Sequence, residues 1–246
     1  MDDQERIDLL AALWRRPPSA EGFRQIWKVF MQWPEGRDKD AALQDAVTRL
    51  EGWDDELRHM TSQSGPLYNQ NRVAPIGRLV RSISFHRREE GTGDLVRIAD
   101  SPHAEGLRRI TVDRCEIHAE GITELARSKY LSNLTHLKFI DTHFPRGTAR
   151  ELLQPSGLPH LISLDLIECG IKDEDLVVLP QSQLPARLTN LNLADNLIGD
   201  DGARILAQLA ALKQLDTLDL SKNGISATGR EMLQSAPHLT RTQLLF

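Results

Sequence analysis

Cysteine, aromatic residues and long apolar runs are scarce in this sequence. Two cysteines among 246 residues indicate a reducing compartment rather than a disulfide framework. The acidic start, MDDQERID, lacks the basic and apolar regions of a secretory signal, and no apolar run approaches the roughly 18 residues of a membrane span. We therefore expect a cytoplasmic protein that does not enter a membrane.

Basic residues are not in excess either. The formal net charge is -5 and the isoelectric point is about 5.9, whereas domains that bind nucleic acid usually present a clearly basic surface. We therefore expect no nucleic-acid partner. Apolar residues make up 40% of the chain, which is enough to bury the core of one elongated domain.

A pattern of spaced leucines, LxxLxL, returns every 27 residues. Residues 188–209 read LTNLNLADNLIGDDGARILAQL, and 27 positions later the chain reads LDTLDLSKNGISATGREML. The alternation predicts one half-buried strand in each unit, and a pair of apolar residues about two thirds of the way along predicts the inner face of a helix. Six units begin at Val80, Leu107, Leu134, Leu161, Leu188 and Leu215, and a shortened seventh begins at Leu239.

The ninth position of each unit completes the pattern. It is occupied by Arg88, Cys115, Thr142, Cys169, Asn196 and Asn223. This arrangement resembles the leucine-rich repeat family, whose consensus is LxxLxLxxN/CxL, and the unit length is most similar to its ribonuclease-inhibitor-like subclass. The resemblance covers residues 79–246 and implies an α/β leucine-rich repeat solenoid, a short right-handed horseshoe arc with a parallel sheet on the concave side and helices on the convex side.

The ninth residue is expected to form a ladder of side chains between repeats. An asparagine amide both donates and accepts hydrogen bonds, so it can satisfy backbone groups that would otherwise be buried unpaired. Cys115 and Cys169 lie two repeats apart, about 10 Å, which is too far for a disulfide. Arg88 and Glu90 depart from the pattern, so we expect the first turn to be irregular or exposed to solvent.

The first 60 residues lack the repeat and contain all four tryptophans. Apolar residues at helical spacing predict three helices near 3–15, 20–33 and 39–60. We divide the chain into residues 1–62, a small α-helical unit; 63–78, a linker; and 79–246, a repeat domain of six repeats plus a terminal half-repeat. The helical unit is interpreted either as an N-terminal cap that covers the first repeat or as a separate docking module.

No pattern in the sequence predicts catalysis. The eight histidines are scattered, and the repeat register places no partnered base beside a serine, cysteine or threonine. A metal site formed by Cys115 and His118 lacks a second pair of ligands. We therefore expect no enzyme activity, no cofactor and no metal, and predict a non-catalytic module that binds another protein. The alternative is a stoichiometric regulator or inhibitor of an enzyme such as a GTPase.

The predicted binding surface is the concave face of the sheet. Residues two, four and six positions after each start alternate with the inward leucines, so they face solvent. The sequence makes this face basic toward its N-terminal end and acidic toward its C-terminal end, with two isoleucines side by side between. The predicted partner-binding residues are Arg109, Arg114, His136, Lys138, Ile140, Asp165, Ile167 and Asp219.

The sequence predicts the chemistry of the partner but not its identity. An apolar centre with charged flanks fits a protein with complementary acidic and basic regions. We expect a monomer; the alternative is weak homodimerisation through the C-terminal strand edge in LTRTQLLF.

Overall fold

The computed structural model describes residues 1–61, 68–69, 72–89 and 91–246. Residues 63–67 and 70–71 of the predicted linker at 63–78, together with residue 62 and Glu90, lie outside these residues. The chain folds as an α/β solenoid in which one parallel sheet is covered on one side by short helices.

Three helices open the chain, close to where the sequence predicts them. The first is α1 (Asp3–Trp14), in which Asp2 and Glu5 form a capping box; the second is α2 (Ala20–Met31), capped by Ser19. The third, α3 (Arg37–Arg49), ends well before residue 60, so the predicted helix over 39–60 is wrong in its second half.

The chain turns after α3 and enters the sheet earlier than expected. Asp54 accepts a hydrogen bond from the backbone N–H of Glu56, which favours a turn over a continued helix. Residues His59–Thr61 then form a strand, β1, inside the segment that we expected to be helical. The sheet therefore begins one strand before the first predicted repeat.

The main sheet contains eight parallel strands in chain order, with β1 and β10 at its edges. A separate two-stranded antiparallel pair consists of β2 (Tyr68–Asn69) and β3 (Arg72–Val73). The remaining strands of the main sheet are β4 (Ser82–His86), β5 (Arg109–Asp113), β6 (His136–Ile140), β7 (Ser163–Ile167), β8 (Asn190–Asn192), β9 (Thr217–Asp219) and β10 (Gln243–Leu245).

Each interval between repeat strands contains helical structure. Successive α-helices pack against one another in the same order as the strands. They are α4 (Gly91–Ala99), α5 (Ala119–Arg127), α6 (Ala149–Leu153), α7 (Asp173–Leu176), α8 (Asp200–Gln208) and α9 (Ala227–Ser235). Short 3-10 helices lie at Pro75–Leu79, Pro102–Ala104, Leu179–Gln181, Ala210–Gln214 and Pro237–Leu239.

The predicted register is confirmed from β4 to β9, but it is wrong in β10, where Leu244 pairs with Leu218, 26 residues earlier, whereas a start at Leu239 would place Thr242 there. Ile110 pairs with Leu137, and Leu137 pairs with Leu164, so residues 27 positions apart lie side by side. The strand leucines and the inner helix positions, such as Leu125 and Leu206, are fully buried in one continuous core. Packed helices lie about 8–10 Å apart, whereas neighbouring strands lie only about 4.8 Å apart. The stack therefore curves, with the outer face of the sheet on the concave side.

Every one of the first six repeat strands ends in a left-handed turn at a residue other than glycine. The backbone φ of this residue lies between 46° and 58° in all six turns. In the first five turns its N–H donates to a carbonyl of the following repeat; that of Asp141, for example, lies 3.0 Å from the oxygen of Ile167. The six residues are Arg87, Arg114, Asp141, Glu168, Asp195 and Lys222.

In repeats two to six, the residue after each left-handed turn bonds within its own turn, and the predicted ladder between repeats is confirmed at Cys169, Asn196 and Asn223. The side chain of this residue donates to the carbonyl two residues earlier: the Thr142 hydroxyl lies 2.9 Å from the oxygen of Ile140, and the Cys169 thiol lies 3.3 Å from that of Ile167. Burial raises the pKa of the Cys169 thiol to about 12, so it remains a donor. Both Cys115 and Cys169 are free thiols, as expected.

Asn196 forms the most complete step of the ladder. Its Oδ1 accepts from the N–H groups of Cys169 and Ile171, at 3.1 and 2.9 Å. Its Nδ2 donates to three carbonyl oxygens, including that of Leu166 at 2.7 Å. Asn223 makes the same kind of contacts but is only partly buried, whereas a ladder residue is expected to be buried, because it lies in the last helical repeat.

The first repeat departs from the ladder, as its sequence suggests. The Arg88 side chain is 40% exposed, and its Nε lies 3.0 Å from Oδ2 of Asp94. Asp94 is buried and is also paired with Arg97 at 2.8 Å. Arg88 therefore joins its turn to α4 rather than to the strand of a neighbouring repeat.

We predict that Asn196→Ala lowers the free energy of unfolding by roughly 1–3 kcal/mol, because it leaves buried N–H and carbonyl groups without partners. Arg88→Ala should cost much less, since Arg97 still pairs with the carboxylate of Asp94. Chemical denaturation of both variants beside the parent measures the difference. Equal losses would contradict the assigned role of the ladder.

Candidate functional site

The outer face of the main sheet carries three columns of side chains, one for each outward position of a strand. In column one, Arg109 lies between Ser82 and His136, and in column two Lys138 lies between Thr111 and Asp165. Column three consists of the last residues of the longer strands, followed by Ala194 after β8. The members of column three on β4 to β7 are His86, Asp113, Ile140 and Ile167.

The structure brings six of the eight predicted binding residues together on three adjacent strands. Arg109 lies beside His136 in column one, Lys138 beside Asp165 in column two, and Ile140 beside Ile167 in column three. All six are partly exposed. Strands β5, β6 and β7 therefore present an apolar pair next to two pairs of polar or charged residues.

Arg114 and Asp219 lie outside this group. Arg114 occupies the left-handed turn after β5, and its Nε is 3.3 Å from Oδ2 of Asp141 in the next turn. Asp219 lies in column two but two strands beyond Asp165. Its Oδ1 accepts hydrogen bonds from both the N–H and the hydroxyl of Ser221, so the carboxylate is partly used by its own turn.

The apolar pair is flanked by a small residue and an acidic one. Ile140 and Ile167 are Cα partners, and Asp113 is the partner of Ile140 on the other side. Beyond Ile167, Ala194 is 9% exposed. The predicted side-by-side placement of the two isoleucines is confirmed, and both keep part of their surface open to solvent.

The charged residues of the face are more strongly paired than the sequence suggests. Nζ of Lys138 lies 3.6 Å from Oδ2 of Asp165, whose other oxygen accepts from Nδ2 of Asn190 at 2.7 Å. Lys222 pairs in the same way with Asp195 at 2.8 Å. The predicted basic and acidic halves therefore meet in an ion pair between β6 and β7, and their opposing fields are smaller than a count of residues indicates.

Burial changes the proton affinity of two members of this group. Burial is the main cause that raises the pKa of the Asp165 carboxyl, although Lys138 and Asn190 act in the opposite direction. Burial also lowers the pKa of His136, with the positive charge of Arg109 as a second cause. Nε of Arg109 is buried without a hydrogen-bond partner, so this end of the group has an unused donor.

A chain of hydrogen bonds at the N-terminal end of the same face was not predicted. Nδ1 of His86 lies 3.1 Å from Oδ2 of Asp113, and its Nε2 lies 3.1 Å from the hydroxyl of Ser84. The same hydroxyl lies 3.1 Å from Nε2 of His59, and Nδ1 of His59 lies 2.8 Å from the hydroxyl of Ser82. The chain connects three adjacent strands, β1, β4 and β5.

These hydrogen bonds show that the expectation of no serine beside a base paired with a carboxylate is wrong. Asp113, His86 and Ser84 stand in the order of a carboxylate, a base and a hydroxyl, which is the order of a nucleophilic site. However, Ser84 is only 4% exposed, and its hydroxyl is held between two imidazoles. With its hydrogen-bonding capacity shared in this way, the hydroxyl ties the first strands together instead of standing open to a substrate.

The sequence pattern does not predict these hydrogen bonds because it does not predict strand β1. His59 lies in a segment with helical spacing, so nothing placed it beside a serine. The signal that was available is the 27-residue interval between His86 and Asp113, which makes the two residues neighbours in column three.

No group of three histidine, cysteine or acidic side chains suited to a metal ion occurs among residues 1–61, 74–89 and 91–246. In the described part of the chain, no helix has the length and apolar character needed to cross a bilayer.

Comparison with known proteins identifies the repeat. A family model described as Leucine Rich repeat matches residues 188–207 and 214–233. No curated protein matches the chain. The assignment to the ribonuclease-inhibitor-like subclass stays a prediction.

Several solved structures resemble the chain loosely. An internalin from Listeria monocytogenes is 18% identical, with a TM-score of 0.44, over 80% of this chain and 56% of its own. A protein from Bacteroides fragilis is 13% identical, with a TM-score of 0.37, over 67% of both chains. The C-terminal domain of tropomodulin from Caenorhabditis elegans is 14% identical, with a TM-score of 0.31, over 81% of this chain and 92% of its own. At TM-scores below 0.5, none of these likenesses bears on function.

We predict that the protein loses stability as the pH falls from about 7.5 to about 5. Burial lowers the pKa of both His59 and His136 in the folded state. The unfolded chain, with an ordinary histidine pKa of about 6.5, therefore takes up protons first, and stability that is present above that pH is lost below it. Thermal melts across this range should show a smaller pH dependence in His136→Asn than in the parent. The exposed His118, changed to Asn, is the matched control, and an equal effect of the two substitutions would contradict the assignment.

Proposed function

Because this chain is a leucine-rich repeat protein, we propose that it binds another protein on the outer face of its parallel sheet. Proteins of this kind are in general protein-interaction modules, since their stacked strands offer an extended surface. The observation that carries the proposal is the pair Ile140 and Ile167, partly exposed side by side where a solvated strand would present polar groups. The repeat by itself indicates only the fold, so the proposed function depends on these two residues.

The apolar pair supplies the proposed anchor. Removing two isoleucine side chains from water contributes affinity, and both lie on strands that are fixed by neighbours on each side. A rigid surface loses little conformational entropy when a partner docks. The proposed partner therefore presents an apolar group between strands β6 and β7.

The charged neighbours supply the proposed orientation. Arg109 and His136 lie on one side of the anchor, and the Lys138–Asp165 ion pair lies between them and the isoleucines. A partner with an acidic region opposite Arg109 and a basic region toward Asp219 fits this order. Such charges affect mainly the association rate and specificity.

The proposed role is binding rather than catalysis, and it requires neither cofactor nor metal. A cytoplasmic location belongs to the same proposal. The free thiols of Cys115 and Cys169 donate hydrogen bonds in the ladder, which fits a reducing compartment.

We propose in addition that residues 1–62 cap the first repeat. Phe23, Phe30 and Trp33 are buried, and they belong to the same continuous core as the repeat leucines. Helices α2 and α3 both contact the 3-10 helix Pro75–Leu79, which leads into β4. The open end of a solenoid otherwise exposes apolar surface, and these contacts support a cap more directly than a separate docking module.

We expect the double variant Ile140→Asp/Ile167→Asp to abolish partner binding without unfolding the protein. The parent chain would be used to capture partners from native cell extract, and the captured protein would then be purified and titrated against each variant. The matched control is Leu197→Asp, which changes an apolar side chain that is 63% exposed and lies outside the three columns. Lys138→Glu should slow association, and the effect should shrink at high salt.

The proposed site would be wrong if the double variant bound the purified partner like the parent. Circular dichroism of each variant separates loss of binding from loss of fold. If the captured partner is an enzyme, its inhibition at a stoichiometric ratio would identify the alternative role as a regulator.

Truncation tests the cap separately. We predict that a fragment of residues 79–246 aggregates or melts at a lower temperature than the full chain, because it exposes the apolar surface beneath α2 and α3 and removes β1 from β4. Light scattering and thermal melts measure this. A soluble fragment with unchanged stability would favour the docking module.

A further inference from the structure

Three arginines occupy equivalent positions, each directly before one of three adjacent strands at the N-terminal end of the sheet. Arg58, Arg81 and Arg108 each come one residue before a member of column one, and those members are neighbours in the sheet. The carbonyl of Arg58 accepts from the N–H of Arg81, and the carbonyl of Arg81 accepts from the N–H of Arg108 at 2.8 Å. The 27-residue interval and the extra strand β1 thus stack three guanidinium-bearing residues.

Arg58 is the innermost of the three. It is fully buried, and its Nε and Nη1 donate to the carbonyls of Leu79 and Leu50 at 2.8 and 2.9 Å. Nη2 is buried without an acceptor. Burial and the nearby charge of Arg81 lower the pKa of Arg58 to about 9, so the positive charge is poorly compensated at this place.

The two outer arginines are closer to solvent. Arg81 is partly buried and uses Nη1 to donate to the carbonyl of Gly106 at 2.9 Å. Burial and the charge of Arg108 lower the pKa of Arg81. The side chain of Arg108 is 46% exposed, and its Nε lies 3.8 Å from Oδ1 of Asp55, too far for a hydrogen bond.

The counter-charge around the three arginines is incomplete. Asp55 and Glu51 are the carboxylates whose charge favours the protonated guanidinium of Arg58 and of Arg81. Three cations face two anions, one of which is held only loosely. The next two residues at this strand position, Thr135 and Ile162, are uncharged.

We propose that Arg81 and Arg108, with Arg58 behind them, form an oxyanion-binding site that takes a carboxylate or phosphate group. Guanidinium groups donate two parallel hydrogen bonds to such groups, and these charge-assisted bonds are the strong ones. Asp55 occupies the region loosely in the free protein and competes with the incoming anion. The site lies at the N-terminal end of the strands, apart from Ile140 and Ile167 at the C-terminal end, so it does not depend on the proposed docking surface.

The chain offers a way to disturb the site without removing a charge. A methyl group at Gly106 would overlap Nη1 of Arg81, so Gly106→Ala displaces the guanidinium while leaving its charge in place. Arg58 is left unchanged, because its hydrogen bonds join α3 and the following 3-10 helix to the sheet.

The test is a titration of the full chain with sodium phosphate and, separately, with sodium acetate at constant ionic strength, following the arginine Nε–Hε signals by NMR. The signals of Arg81 and Arg108 should shift and saturate. Arg108→Gln should weaken binding by at least about tenfold, Gly106→Ala should also weaken it, and Asp55→Asn should tighten it.

The matched control is Arg146→Gln, which removes an exposed arginine with a similarly long ion pair, 3.6 Å from Glu174. It should leave the titration unchanged. Tighter binding of phosphate than of acetate assigns the site to phosphate groups, tighter binding of acetate assigns it to carboxylates, and comparable saturable binding supports a general oxyanion site. Shifts that never saturate, or equal effects of Arg108→Gln and Arg146→Gln in variants that melt like the parent, would overturn the proposal.

Discussion

The structure depends on one repeated constraint, the left-handed turn that ends each of the first six repeat strands. In repeats two to six, the side chain that follows this turn donates back to a carbonyl at the strand end. In the first five turns the turn residue itself donates its N–H to the following repeat. Residues other than glycine rarely adopt this conformation, so these hydrogen bonds to the neighbouring repeat help to hold it.

This constraint also fixes what the outer face presents. A slip of one residue in β6, for example, would bury Lys138 and expose Leu137, so the buried leucines and the turn together hold the register. Residues 27 positions apart are consequently neighbours on the face. The isoleucine pair at the C-terminal end of the strands comes from this rule, as does the placement of Arg81 beside Arg108 at the N-terminal end, whereas Arg58 is added by the extra strand β1.

The sequence predicts the repeated part of the molecule well and the rest less well. Strand leucines, inner helix positions and the ladder at Asn196 follow from the spacing, because each is repeated and each has one physical role. The strand β1 has only three residues and no leucine pattern, so its His59 was assigned to a helix. Four of the six left-handed turns carry Arg, Glu or Lys, which give no local signal of positive φ, and the aspartates at the other two give only a weak one. The pairing of Lys138 with Asp165 depends on side-chain reach, which spacing does not determine.

The ladder has a consequence for the order in which the chain gains structure. Asn196 bonds to groups 25 to 30 residues away, and no farther, so each repeat is completed by its immediate neighbour. Folding can therefore begin in one pair of repeats and extend along the chain without closing a long loop. The repeats around Asn196 and Asn223 contain the complete amide ladder, whereas the repeat that contains Arg88 lacks it. Structure should nucleate in the C-terminal repeats and reach the N-terminal strands last.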